Sequence, residues 1–260
     1  MYPVLFSLGR RTISTYSVVM GLFLLLALIW LAREDHRHRD GRLNAALIAL
    51  FAGLVGARVI HVFSNWIYFK QRPDEVFSFA SGGLSLHGGL LIGITGLALG
   101  AWWKYRTEGD VIGRIWQLAS ALMGPFALVY LGGWLACLLA GCAYGRAVAP
   151  PQRVYSLDWP DIYGVVAFRW PSQLMGVVLA FALLAIALRW PDRPGLFLVI
   201  LGLGDFFIAF TRGDLAVSWG PLLATQWADL VIVATGLMLT IYRRRLATSP
   251  VFGTTSTTHC

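Results

Sequence analysis

Residues Ile115–Leu139 read IWQLASALMGPFALVYLGGWLACLL, without one Asp, Glu, Lys or Arg. A helix needs roughly 20 mostly apolar residues to cross about 30 Å of hydrocarbon, and this stretch exceeds that. Working outward, six more apolar segments flank it: Tyr16–Ala32, Leu43–Phe63, Leu84–Trp103, Gln173–Leu188, Leu196–Phe210 and Leu222–Tyr242. The fifth and sixth spans in chain order are the shortest. The composition agrees, with 57% hydrophobic residues, 13% charged and a mean hydropathy of +0.67. A soluble domain carries about 25% charged residues, so a soluble enzyme and a disordered chain are both excluded. A membrane β-barrel would alternate in polarity over segments of about ten residues. These runs are continuous. The expected fold is an all-α integral membrane protein of seven transmembrane helices, over residues 1–245, with a disordered tail at 246–260.

Net charge is +8 and the pI about 9.8. The positive residues sit in short loops between apolar spans, as membrane orientation requires. No basic face interleaved with aromatics appears, so no nucleic-acid partner is expected. Of the 21 Lys and Arg, twelve fall on the side of the loop after span one. Eight fall on the other side, and Arg58 lies inside span two. This bias places the N-terminus outside, the C-terminus in the cytoplasm and the long connection Gly141–Pro171 outside. Residues 1–15 lack the form of a cleaved signal peptide, so span one is expected in the mature protein. Three cysteines make no disulfide framework. Cys137 and Cys142, five apart on an expected helix, read as small packing residues.

Polar residues inside a membrane are costly and mark candidate sites. In Gly82-Gly83-Leu84-Ser85-Leu86-His87-Gly88-Gly89-Leu90, glycines surround one histidine at the mouth of a span. The glycines Gly83, Gly88 and Gly89 permit close approach of a lipid or helix. His87 can take a proton from a thiol or hydroxyl, or can be a satisfied core histidine. Arg58, near the outer end of span two, can grip a lipid phosphate or snorkel to the interface. Beyond the small-residue end of span four, Tyr144-Gly145-Arg146 can meet a head group or simply flank a packed helix. Gln173, opening span five, can cap the first turn or meet a ligand. Asp205 in span six needs a partner or a proton. Arg212 and Asp214 can pair with each other. The spacing shows no metal-ligand cluster and no nucleotide loop, so no metal and no cofactor are expected.

Taken in order, these segments resemble the prolipoprotein diacylglyceryl transferase family. The resemblance runs from Pro3 to about Tyr242. It rests on Pro3–Gly9, Thr15-Tyr16, Gly56-Ala57-Arg58, Gly82–Leu90, Ala140–Arg146 and Pro171-Ser172-Gln173-Leu174. It implies a seven-span enzyme of the bacterial cytoplasmic membrane with its active site toward the outer face. It also implies transfer of the diacylglyceryl group of phosphatidylglycerol to the lipobox cysteine of a prolipoprotein signal peptide, forming a thioether. His87 would be the base or a substrate-positioning residue, and Tyr16 a hydroxyl near the head group. Arg58, Tyr144, Gly145, Arg146, Gln173 and Arg212 would bind the lipid phosphate or head group.

Two departures open an alternative. The family has an arginine where Trp134 stands. It also has an arginine and a glutamate one turn apart where Asp205 and Ala209 stand. A carboxylate in place of a guanidinium repels an anion. The alternative is a member that binds phospholipid or signal peptide without transfer. A small transporter or receptor of seven spans would need a polar path across the membrane, and span one offers almost nothing for it.

Overall fold

The computed structural model describes residues 4–8, 11–38, 41–77, 84–107, 110–149, 155–161, 163–214 and 217–248. A hairpin of β1 (Val4–Leu8) and β2 (Arg11–Ser14) leads directly into α1 (Thr15–His38). Then come α2 (Arg42–Ser64), the short α3 (Trp66–Gln71), α4 (Leu86–Tyr105) and α5 (Val111–Ala140). A second hairpin, β3 (Leu157–Pro160) with β4 (Val166–Arg169), precedes α6 (Ser172–Arg189) and α7 (Pro194–Ala209). A two-residue hairpin, β5 (Ser218–Trp219) with β6 (Leu222–Leu223), opens α8 (Ala224–Thr248). Helix α8 continues past the boundary drawn at 245, and 249–260 lie outside the described residues.

Local chemistry sets the helix starts. Ser14 Oγ accepts from Ser17 N at α1, Ser85 Oγ from Gly88 N at α4 and Asp110 Oδ1 from Gly113 N at α5. These are side-chain N-caps, each satisfying an otherwise orphaned amide. Pro194 occupies the first turn of α7, where its missing N–H costs nothing.

Among the described residues, six helices (α1, α2, α4, α5, α6 and α8) are long and apolar enough to cross a membrane. Helix α7 has 16 residues, or about 24 Å at 1.5 Å per residue. Their outward faces are apolar: Phe51 is 71% exposed, Phe63 74% and Met238 69%. Such a surface suits lipid rather than water.

Two clusters form the core. One joins α5, α6 and α7 through Ala127, Tyr130, Leu131, Trp134, Ala180, Leu183, Phe197 and Leu201. The other joins α2, α4 and α5 through Ala45, Leu97, Ala101, Tyr105 and Leu118. Helices α2 and α4 touch backbone to backbone. A Cβ at Gly88 would sit 2.5 Å from Ile60 Cβ and 2.9 Å from Gly56 O. Small residues at such a crossing let two membrane helices close.

The expectation for Cys137 and Cys142 is corrected: they form a disulfide, with Cα atoms 4.6 Å apart. The expectation assumed one continuous helix. Instead α5 ends at Ala140, and Gly141 adopts φ 90°, ψ 9°. That left-handed cap is open to glycine. It turns the chain back and swings Cys142 beside Cys137.

Candidate functional site

The bundle gathers a small polar centre from four helices. His87 occupies the first turn of α4, immediately inside the Ser85 cap. The start of α4 is tied to α2 by Ser85 N donating to Ala57 O at 3.0 Å. His87 Nε2 lies 2.8 Å from Asp229 Oδ1 on α8. The Asp229 side chain is 1% exposed and that of His87 12%. On α5, Tyr130 donates its hydroxyl to Asp205 Oδ1 on α7, so Asp205 has the partner that its sequence position demands. One donor atom each of His87, Asp205 and Asp229 lies within 4.8 Å of the other two. The sequence spacing gave no sign of this convergence. The three residues are remote in sequence and meet only through helix packing.

Helix α7 is held to α8 at this level by close approach. A Cβ at Gly202 would lie 2.8 Å from Asp229 O, and one at Gly195 2.6 Å from Gly236 O. Gln226, 1% exposed and one turn before Asp229, reinforces the join. Its Oε1 accepts from Leu223 N, and its Nε2 donates to Phe206 O.

A second group assembles beyond the end of α5. Tyr144, Gly145 and Arg146 run alongside Thr211–Gly213. Arg146 N donates to Thr211 O at 2.9 Å, Gly213 N donates to Tyr144 O at 2.8 Å, and Gly145 bridges Arg212. Gln173 is buried, and its Nε2 donates to Cys142 O at 2.6 Å and Cys137 O at 3.2 Å. It therefore clamps the disulfide turn. Ser172 Oγ pairs with Thr211 Oγ1 at 2.8 Å. Arg169 donates to Asp161 Oδ2 at 2.8 Å and lies 5.0 Å from the Tyr144 ring centroid.

The cations are engaged within the protein to different degrees. Arg212 Nε donates to Asp214 Oδ1 at 2.9 Å, as the sequence suggested. Burial works against the Arg212 charge. The Asp214 carboxylate, with Asp205 and Tyr130 farther off, outweighs burial and raises its pKa above the usual value. Arg58 is 5% exposed. It donates from Nε to Val76 O at 2.8 Å and from Nη2 to Glu75 O, and it sits over the Phe69 ring. Its guanidinium anchors the segment after α3. Arg146 is exposed.

Tyr16 is 38% exposed in the first turn of α1, and no hydrogen bond brings it to His87 among the described residues. Gly83 lies outside the described residues. Gly88 and Gly89 face α2, so their close approach is to a neighbouring helix. Trp134, where the resemblance implies an arginine, is buried. A Cβ at Gly176 would lie 2.0 Å from Trp134 Cδ2. The indole fills the seam between α5 and α6.

Sequence reasoning missed Asp229 and Tyr130. The signal for Asp229 was present, as a carboxylate inside an apolar span. Nothing in the sequence shows that it faces His87.

The family model for prolipoprotein diacylglyceryl transferase matches residues 3–242. Among similar proteins is a phosphatidylglycerol–prolipoprotein diacylglyceryl transferase of Streptococcus agalactiae serotype V. It is 30% identical over 255 residues, which cover 94% of this chain and 96% of the relative. Another is phosphatidylglycerol–prolipoprotein diacylglyceryl transferase 2 of Clostridium perfringens, 26% identical over 239 residues, covering 87% and 90%. A third, the phosphatidylglycerol–prolipoprotein diacylglyceryl transferase of Bacillus mycoides, is 29% identical, covering 92% and 91%. With the match spanning nearly the whole length and these relatives beside it, the chain belongs to the prolipoprotein diacylglyceryl transferase family.

Proposed function

We propose that this protein transfers the diacylglyceryl group of phosphatidylglycerol to the lipobox cysteine thiol of prolipoproteins. The thiol sulfur forms a bond to the glycerol carbon, the bond from that carbon to the phosphate oxygen breaks, and glycerol phosphate leaves. The thiolate is the nucleophile. The observation that carries the reading is the 2.8 Å contact of His87 Nε2 with Asp229 Oδ1, within a bundle with apolar outer faces. A carboxylate that fixes one ring nitrogen leaves the other to accept the thiol proton. Arg212, bonded to Asp214 just past the end of α7, would be the cation that meets the leaving phosphate. Tyr144, Gly145 and Arg146 run beside it and would line the head-group side.

The same reading has seven spans, counting α7, with the N-terminus outside and the site toward the outer face of a bacterial cytoplasmic membrane. The disulfide at the end of α5 supports that orientation, because disulfides persist in oxidising compartments. The Lys and Arg bias supports it too.

One observation favours a second reading, in which the protein binds phospholipid or signal peptide without transfer. Asp205 and Asp229 are two carboxylates beside His87, and an anionic phosphate is repelled by them. The test is purified protein in phosphatidylglycerol-containing detergent, given a lipobox peptide whose mass is followed. The expected result is a diacylglyceryl adduct that is lost in His87→Ala. No adduct from folded protein that still binds lipid would overturn transfer.

A further inference from the structure

We infer that His87, Asp205 and Asp229 form a site for one divalent transition-metal cation, built across α4, α7 and α8. The three donor atoms lie within 4.8 Å of one another. Nitrogen and oxygen ligands bind such ions at about 2.0–2.2 Å, so the ligand atoms of one tetrahedral ion stand about 3.3–3.6 Å apart. The three donors would draw together on binding.

A second observation points to a ligand independently of that spacing. Among the described residues, Asp229 Oδ2 is buried without a hydrogen-bond partner, on a side chain that is 1% exposed. Its other oxygen is taken by His87. Buried carboxylate oxygens are otherwise met by a donor or a cation. Charge argues the same way. The carboxyl groups of Asp205 and Asp229 lie close together inside an apolar bundle. A divalent ion cancels both and leaves His87 neutral, the form that ligates metal. Arg212, just past the end of α7, is already bonded to Asp214.

The surroundings fit a ligand shell. The Tyr130 hydroxyl donates to Asp205 and holds that carboxylate from outside, as outer partners of metal ligands do. Gly202 lets α7 lie against the backbone of Asp229. One imidazole with two carboxylates selects Zn²⁺ or Mn²⁺ over softer ions.

For one consequence only, this proposal rests on the transfer reading. A thiol that joined these ligands would lose its proton to solvent and be held as thiolate.

The test uses the full chain, purified in detergent and stripped with a chelator. It carries His259→Ala and Cys260→Ser, which remove competing donors in the tail. Zn²⁺ and Mn²⁺ binding is measured by calorimetry, and Co²⁺ binding by its visible absorption. The expected result is one equivalent per chain, with affinity at least tenfold lower in Asp205→Asn and in Asp229→Asn. The Co²⁺ band of the unsubstituted site reads the same question without those variants. No stoichiometric binding, or binding unchanged in both variants, overturns the site. Binding without transfer would leave the cation site standing and sink the transfer reading. Transfer by protein that binds no cation would do the reverse.

Discussion

His87 on α4 and Asp229 on α8, 142 positions apart in the chain, meet at 2.8 Å in the interior of the bundle. Removing one partner of a buried hydrogen bond costs about 1–3 kcal/mol, because the other is left unsatisfied. The contact and the chemistry can therefore be separated by choice of variant. His87→Gln keeps a donor for Asp229 and removes the imidazole. It is expected to express and melt close to the wild type while transfer is lost. His87→Ala is expected to lose transfer and also to lower the melting temperature in detergent. Wild-type turnover by His87→Gln would remove the histidine from the mechanism.

Close packing of α2 on α4 sets where His87 stands. A Cβ at Gly88 has no room between Ile60 and the backbone of Gly56. Gly88→Ala is expected to cost about 1–3 kcal/mol, the usual range for an overfilled interior. Gly21, with nothing within 4 Å of its would-be Cβ, is the control. Gly21→Ala should be neutral or slightly stabilising, since alanine is the better helix former. Equal melting temperatures for the two variants would contradict this account of the crossing.

The disulfide closes a short loop around Gly141, and Gln173 holds both of its carbonyls. Loop-closure entropy puts its contribution at about 2 kcal/mol. In a Cys260→Ser background, maleimide should label nothing until a reductant is added, and then two thiols per chain. Labelling of unreduced, folded protein would show that the bridge is not formed.

At the other end of the bundle, Arg243 on α8 donates to Asp192 and holds its carboxyl below the usual range. A depressed carboxyl contributes stability above its unfolded pKa, near 3.9, and loses it as pH falls through the lower folded value. The pair is largely exposed, at 45% and 60%, so the contribution is at most about 1 kcal/mol. Melting curves of wild type and Arg243→Ala should differ slightly at pH 7 and converge as pH falls below the folded value of Asp192. A gap that persists there would assign the effect to the packing of Arg243 on Trp116 instead.

Much of this was legible in the sequence, because a membrane span writes itself as an uninterrupted apolar run. The stretch read as Leu43–Phe63 is the helix Arg42–Ser64, and Ile115–Leu139 lies within Val111–Ala140. The pairing of Arg212 with Asp214 was equally local. What was hidden depends on contacts between distant segments or on a single backbone torsion. Asp229 is a lone carboxylate within the last apolar span, and only the seating of α8 against α4 and α7 turns it toward His87. Cys142 was hidden by the left-handed turn at Gly141, which moves the helix end by a residue or two and changes what the cysteine faces. Arg58 shows the remaining difficulty. Its position suggested a phosphate, but the chain returns at Glu75 and Val76 to offer it carbonyls, and no local pattern announces that return.

The most direct measurement follows both products of one reaction. Purified protein, phosphatidylglycerol and a lipobox peptide are combined, and peptide adduct and free glycerol phosphate are quantified together. The account predicts equimolar adduct and glycerol phosphate from the wild type, and neither from His87→Gln that melts like the wild type. Folded wild-type protein that binds the lipid and yields neither product would contradict it.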